Sequence, residues 1–339
     1  MKILFITYAK TGLNRGGLEL QICKTAQALE DAGHEVILYS PWRNQLGEVD
    51  VCHMFAMDSS LLPYGLAAKQ QGKPLVISPV FNCFAYNSLA LQMRILASRC
   101  IPGSYEGLCG CNKLLRLASV IIPLNCEEKD SLHRCFGVDV SRCTVIPNGI
   151  EISYSGANAA LAEKTFGGRD YILQVGSIEP RKNQLASIKA MRNLPYKLIL
   201  VGKASNENVS YYDKCRRMAS SNVVFAGHVN HDDPLLASLY AGAKTFILPS
   251  FSEVMPLTLY EAAVAGCHLI AGHSFPIARE LSNNVARVNP RNVNALKTKI
   301  AETMALPGRS DAQQAAKRLP TWNAVAEQLI DIYKLLSVQ

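Results

Sequence analysis

The sequence predicts an α/β protein of two doubly wound domains, each built on a parallel sheet. Three observations lead there. Short apolar, β-branched runs alternate with amphipathic stretches along the chain, the pattern of strands joined by crossover helices. The 339 residues are enough for two cores at roughly 100–200 residues per domain. A small, polar stretch, Glu151–Arg169, with Gly156, Gly167 and Gly168, separates two such series and reads as a linker.

In the first series Lys2–Tyr8, Glu35–Tyr39, Val51–Met54, Leu75–Ser78, Val120–Pro123 and Thr144–Pro147 read as strands. Gly17–Ala32, Ser59–Gln70, Asn87–Ser98 and Glu127–Phe136 read as helices, with Gly33 and Gly137 ending two of them. In the second series the strands are Tyr171–Val175, Lys197–Val201, Val223–Phe225, Thr245–Leu248 and His268–Ala271. Its helices are Gln184–Arg192, Tyr212–Ser220, Pro234–Ala241, Pro256–Ala265, Val293–Met304 and Trp322–Leu336. Residues 1–150 and 151–320 then form the two domains, and 321–339 a terminal helix. Open sheets of this kind bind ligands at the carboxyl ends of their strands, so a cleft between two such domains is the expected site.

Composition narrows the function. At 49% hydrophobic and 18% charged, the chain is neither a disordered segment nor a coiled coil. Its formal charge of +8 is not gathered into a basic tract, which argues against nucleic acid and suits an anionic small molecule or an acidic membrane surface. Eleven cysteines without a Cys-x-x-Cys pair, and a start too briefly apolar for a signal peptide, read as a cytosolic protein with reduced thiols. Cys100, Cys109 and Cys111 come nearest to a zinc cluster but lack the spacing of structural sites, so no metal is expected. The uncharged run Pro74–Met93 holds two prolines and two asparagines and does not read as a membrane span.

Three segments carry chemistry. The turn after the first strand, Lys10 to Gly17, is neither Gly-x-Gly-x-x-Gly nor a P-loop, which removes the main support for dehydrogenase and triphosphatase readings. Gly16 and Gly17 at a helix entrance can offer amides to an anion or simply reverse the chain. In Gly176-Ser177-Ile178-Glu179-Pro180-Arg181-Lys182-Asn183, two cations stand at a helix start, against its dipole, a conflict that an anionic ligand would remove. In Pro249 to Ala263, Pro256 suits a first helical position and leaves the amides of Leu257 and Thr258 open, with Glu253 and Glu261 eight residues apart. An all-helical path would separate those carboxylates by about 12 Å. Glycosidase pairs stand at about 5–9.5 Å, so these two suit the ends of an elongated ligand whose diphosphate rests between them.

With those residues, the chain resembles the retaining glycosyltransferases of family 4, which share the GT-B fold of two Rossmann-like domains. Arg15-Gly16-Gly17-Leu18-Glu19 is similar to the family's Gly-Gly-x-Glu opening, and Val145–Ile150 to its Pro-Asn-Gly signature. Gly176–Asn183 is similar to its Gly-x-x-x-Pro-x-Lys turn and Glu253–Glu261 to its Glu-x7-Glu motif. Gly227-His228-Val229, Leu239-Tyr240-Ala241 and the last helix also match. The resemblance implies an acceptor-side first domain, a nucleotide-sugar-binding second domain and a final helix that packs back on the first.

It also implies transfer of a hexose from a UDP- or GDP-sugar, with retention and without a metal or other cofactor. Arg181 and Lys182 would hold the diphosphate, Glu253 the sugar and Glu261 the ribose. Gly16, Gly17, Pro256, Leu257 and Thr258 would close on the phosphates, and Gly202, Lys203, His228 and Val229 would border the base. Ser177 stands where the family often has Arg, so Arg181 takes over that role. Val254-Met255 replaces Gly-Phe and reshapes the sugar pocket. The family's His near the reacting carbon is missing from Ile77–Asn82, and His53 is either its substitute or a structural histidine. The acceptor would be a saccharide or lipid-linked saccharide of bacterial surface-polysaccharide assembly, lipopolysaccharide O-antigen or capsule.

The stretch Phe81–Lys113 mixes Phe81, Phe84, Tyr86, Leu89, Leu91 and Met93 with Arg94 and Arg99. It reads either as a face for an anionic inner-membrane surface or as an ordinary packed amphipathic helix. Two other functions remain open at this point: a GT-B-shaped sugar-nucleotide epimerase or hydrolase, and a non-catalytic sugar-binding module.

Overall fold

The computed structural model describes residues 1–12, 16–40, 42–43, 46–82, 88–100 and 106–337, without the side chains of residues 10, 12, 88 and 98–100. Arg15, Phe84, Tyr86 and Asn87 lie outside the described residues, as do the side chains of Arg99 and Cys100. The chain divides into two compact units, 1–149 with 320–339, and 150–319.

The first unit holds β1 (Lys2–Thr7), α1 (Gly17–Asp31), β2 (Glu35–Leu38), β3 (Val51–Phe55), α2 (Leu62–Gln70), β4 (Leu75–Ser78), α3 (Ser88–Cys100), α4 (Glu106–Leu117), β5 (Val120–Ile121) and α5 (Cys126–Phe136). Its strands pair in parallel in the order β2-β1-β3-β4-β5. β3 and β4 are buried along their whole length, because helices cover both faces, and that is why they read as unbroken apolar runs. Thr144–Pro147, expected as a strand, is not one. Its amides reach Ile121 and Pro123 carbonyls at 3.0 Å, but the pairing amounts to one bridge at Cys143. α4 was not expected, since its glycines and cysteines look irregular. Gly110 is there because a Cβ would stand 2.7 Å from the Ser59 side chain, so it permits close packing instead of breaking the helix.

The second unit holds α6 (Ala160–Phe166), β6 (Tyr171–Val175), α7 (Gln184–Ala190), β7 (Leu198–Val201), α8 (Val209–Met218), β8 (Val223–Gly227), α9 (Pro234–Gly242), β9 (Ala243–Leu248), α10 (Leu257–Val264), β10 (His268–Gly272), β11 (Val285–Val288), α11 (Val293–Ala305) and α12 (Ala312–Ala316). The sheet order is β11-β10-β9-β6-β7-β8, all parallel. The expected linker is built into this unit. Its Tyr154 and the Ala162 of α6 are buried in the core, and the Ala162 amide donates to Ser238 Oγ at 2.9 Å. β11 was also not expected, being only four residues long.

The last helix, α13 (Trp322–Ser337), belongs to the first unit, where Tyr333 is fully buried and bonded to His53 on β3. Among the described residues no helix is long and apolar enough to cross a membrane.

Candidate functional site

In the second sheet β6 leads on to β7 and β8 on one side, while its other neighbour, β9, leads on to β10 and β11. The chain therefore leaves the carboxyl ends of β6 and β9 in opposite directions, which opens a crevice between their loops. Glycines let the backbones crowd there. A Cβ on Gly202, after β7, would stand 2.0 Å from the Gly176 carbonyl oxygen, and one on Gly272 would stand 2.3 Å from that of Ser250.

The turn after β6 is held from below by buried amide side chains. Gln174 donates to the Lys182 carbonyl at 2.9 Å, and Gln184 to that of Ser177 at 2.8 Å. Asn183 adopts φ +58 and donates to the Pro249 and Pro290 carbonyls at 3.1 and 2.8 Å. Arg181 and Lys182 lie in a 3-10 turn before Asn183, and α7 starts only at Gln184. The pair therefore precedes the helix instead of opening it, and it is balanced by carboxylates.

Glu253 is the centre of that balance. Its Oε2 takes Arg181 Nη1 at 2.9 Å and its Oε1 lies 2.8 Å from Lys182 Nζ. Arg181 also donates to the Ser252 carbonyl at 2.9 Å and to Glu179 Oε1 at 2.6 Å. Burial alone would raise the Glu253 pKa, but Lys182 and Arg181 outweigh it and hold the carboxyl below its ordinary range. Burial works against the charge on Arg181 too, yet Glu253 and Glu179 raise its pKa. Arg181 is left with Nε–H and one Nη2–H beyond these bonds, and Lys182 with two N–H.

Down the loop, Pro256 takes the N-cap position of α10, one residue earlier than expected. No side chain caps this end, so the amides of Leu257 and Thr258 are open, and Thr258 Oγ1 is buried with no partner among the described residues. Glu261, one turn on, is 4% exposed. Its Oε2 accepts from the Tyr240 hydroxyl at 2.7 Å and its Oε1 lies 3.1 Å from His231 Nε2. Burial, with Glu261 beside it, raises the Tyr240 pKa well above its ordinary value, so the hydroxyl stays a donor.

The remaining expected residues are more scattered. Lys203 and His228 are exposed, while Val229 and Met255 pack against the core of this unit. In the first unit Gly16 is the extended N-cap of α1 and Gly17 its first residue, both exposed. His53 is 1% exposed, with Tyr333 Oη at 2.6 Å and Ser78 Oγ at 2.9 Å, and burial lowers its pKa to about 3. Those bonds make it a satisfied core histidine. The sequence reading missed Glu179, Gln174, Asn183, Gln184, Tyr154 and His231. Their one signal is proximity to the charged motifs, and Tyr154 fell in the supposed linker.

Residues 160–319 match the family model of glycosyl transferases group 1. The O-antigen chain mannosyltransferase B of Escherichia coli is 28% identical over 178 residues, 49% of this chain and 46% of that one. The chain spans about half the length of the curated relatives it matches, with 46% of that protein and 55% of a Mycobacterium tuberculosis glycogen synthase covered. Among solved structures, sucrose-phosphate synthase from Thermosynechococcus elongatus superposes with a TM-score of 0.76 at 18% identity, covering 99% of both chains. Anabaena HepE in complex with UDP and glucose gives 0.75 at 16%, covering 98% of this chain and 99% of that one. At such identities the likeness carries the fold, two parallel-sheet α/β units of the GT-B class. The match and the fold together support a group 1 glycosyl transferase.

Proposed function

We propose that this chain is a glycosyltransferase that moves a hexose from a nucleotide diphosphate-sugar to a saccharide or lipid-linked saccharide, with retention at the anomeric carbon. The observation that carries this reading is the cation pair at the β6/β9 switch point, closed on Glu253. A second carboxylate, Glu261, lies beyond an uncapped helix end.

In this reading the donor's diphosphate takes the spare N–H groups of Arg181 and Lys182 and the amides of Leu257 and Thr258. Glu253, kept ionised by the two cations, accepts from hydroxyls of the sugar, while Met255 shapes the pocket beside it. Glu261 accepts from the ribose, and Gly202, Lys203, His228 and Val229 border the base. The anomeric C–O bond breaks with its electron pair leaving on the diphosphate. The acceptor hydroxyl oxygen bonds to that carbon on the same face, and its proton passes to the departing phosphate oxygen. Fixed cations and amides meet the charge that develops on the leaving group, the part a metal ion has in other transferases.

The UDP and glucose bound by the HepE relative support a nucleotide-sugar donor. The O-antigen chain mannosyltransferase relative supports a role in surface-polysaccharide assembly, which in this reading takes place on the cytoplasmic side of the inner membrane. Contact with that membrane has its own support on α3. Leu89, Met93 and Leu96 are 68%, 60% and 53% exposed and fall at helical spacing on one face, while Leu91 and Ile95 face the core.

A thermal-shift panel of UDP-, GDP- and ADP-sugars tests the donor, since a ligand at 100 times its Kd stabilises by about 2.7 kcal/mol. Lys182→Ala and Glu261→Ala should then abolish transfer without loss of fold, with kcat down about 10²–10³-fold in the first. Full activity in both variants overturns the assignment. Rapid epimerisation of donor in the absence of acceptor would favour the epimerase reading instead.

A further inference from the structure

Three side chains from separate places in the second unit converge on Glu261. Tyr154 ends the 3-10 turn Ile152–Tyr154, His231 lies between β8 and α9, and Tyr240 is on α9. Tyr240 bonds one carboxylate oxygen and His231 the other. His231 Nε2 also lies 3.2 Å from the Tyr154 hydroxyl, whose own hydrogen reaches the His231 carbonyl at 3.5 Å. The Tyr154 ring packs edge-on to His231, with centroids 5.9 Å apart, and tilts against Tyr240 at 5.3 Å.

The hydrogen-bond roles follow from the chemistry. An ionised carboxylate only accepts, so Nε2 carries the hydrogen and shares it between Glu261 Oε1 and the Tyr154 oxygen. Each Glu261 oxygen has two lone pairs. Tyr240 uses one on Oε2 and His231 one on Oε1, which leaves one acceptor site on each. A vicinal diol is the ligand that matches such a pair.

We propose that His231, braced by Tyr154, is a positioning residue that sets Glu261 to receive both ribose hydroxyls of the nucleotide. This rests on the donor reading above. Neither residue touches the reacting atoms. Their contribution is that the carboxylate enters the complex already turned, so little ordering remains when the diol binds.

The test is calorimetric binding of UDP and of 2′-deoxy-UDP, with GDP and 2′-deoxy-GDP as a second pair, to the full chain. His231→Leu removes the donor, and His231→Gln keeps an N–H. The leucine variant should bind the ribonucleotide about tenfold more weakly while its Kd for the deoxy analogue stays near that of the native chain, so that discrimination collapses. The glutamine variant should restore most of it. Tyr154→Phe, which keeps the ring, should shift the ratio the same way, and it serves if the leucine variant does not fold. A purely structural role would lower Tm and weaken both nucleotides alike.

Undiminished ribose discrimination in both His231→Leu and Tyr154→Phe overturns the inference. Glu261→Gln separates it from the donor reading. If that variant loses discrimination while the other two keep it, only the relay falls. If it also keeps discrimination, or the native chain binds neither ribonucleotide, the ribose assignment falls and the relay with it.

Discussion

Gly202 shows how much of the candidate site depends on single residues. Its φ of +143 is open to glycine but strained for any side chain, and its missing Cβ is what lets β7's exit pass the Gly176 carbonyl. Gly202→Ala should cost about 3 kcal/mol or more, since strain and overlap add, and should also displace the turn that carries Arg181 and Lys182. Denaturant unfolding together with nucleotide-induced Tm shifts would check this. Native stability with native binding would show that the pinch is dispensable. At this scale the charged residues were legible in the sequence, because Arg181, Lys182 and Glu253 are ionisable groups in the turns that follow apolar strands, and Glu261 stands eight residues after Glu253 on the next helix. The side chains that hold them were not. Gln174, Asn183 and Gln184 donate to carbonyls that no spacing rule names, and His231 reaches Glu261 only because two loops meet.

At the scale of elements, the first unit carries two buried titratable groups with opposed effects. Glu128, near the start of α5, accepts from the Phe81 and Leu124 amides at 2.5 and 2.7 Å, yet burial raises its pKa from 4.5 to about 7. The native state therefore holds an extra proton between those values, and Glu128's contribution is present at low pH and lost as pH rises. His53, lowered by burial from 6.5 to about 3, does the reverse: its contribution is present above 6.5 and lost as pH falls. Between 4.5 and 6.5 the two slopes oppose each other, each about 1.4 kcal/mol per pH unit. Glu128→Gln should expose the His53 slope, so that the variant loses stability as pH drops from 6.5 to 4.5 more steeply than the native chain. Urea unfolding at stepped pH reads this directly, and parallel curves for the two proteins would refute it. Most strands and helices were legible from alternation, since burial on both faces writes itself into apolar runs. α4 was not, because glycine at a tight helix contact looks like glycine in a loop.

Over the whole molecule, charge is unevenly shared. Residues 150–319 carry 20 Lys and Arg against 13 Asp and Glu, and the rest of the chain 15 against 14. In the proposed membrane contact, the net +8 would favour an anionic surface, and the exposed apolar side chains of α3 would be the ones to insert. Vesicles rich in phosphatidylglycerol should therefore bind the chain in low salt, with weaker binding for Met93→Asp; equal binding to neutral vesicles would argue against this reading. The sequence was sufficient for the class of fold and for the charged residues at its strand ends, because burial periodicity and turn chemistry are local. The final helix was legible as a helix, and its return to the first unit followed from resemblance alone. Three things needed the folded chain: the absorption of residues 151–169 into a core, the pairing of both Arg181 and Lys182 with Glu253, and the meeting of Tyr154, His231 and Glu261. Their bonds join residues 30 to 77 positions apart, and such contacts are set by the order of strands in the sheet, which no local pattern encodes.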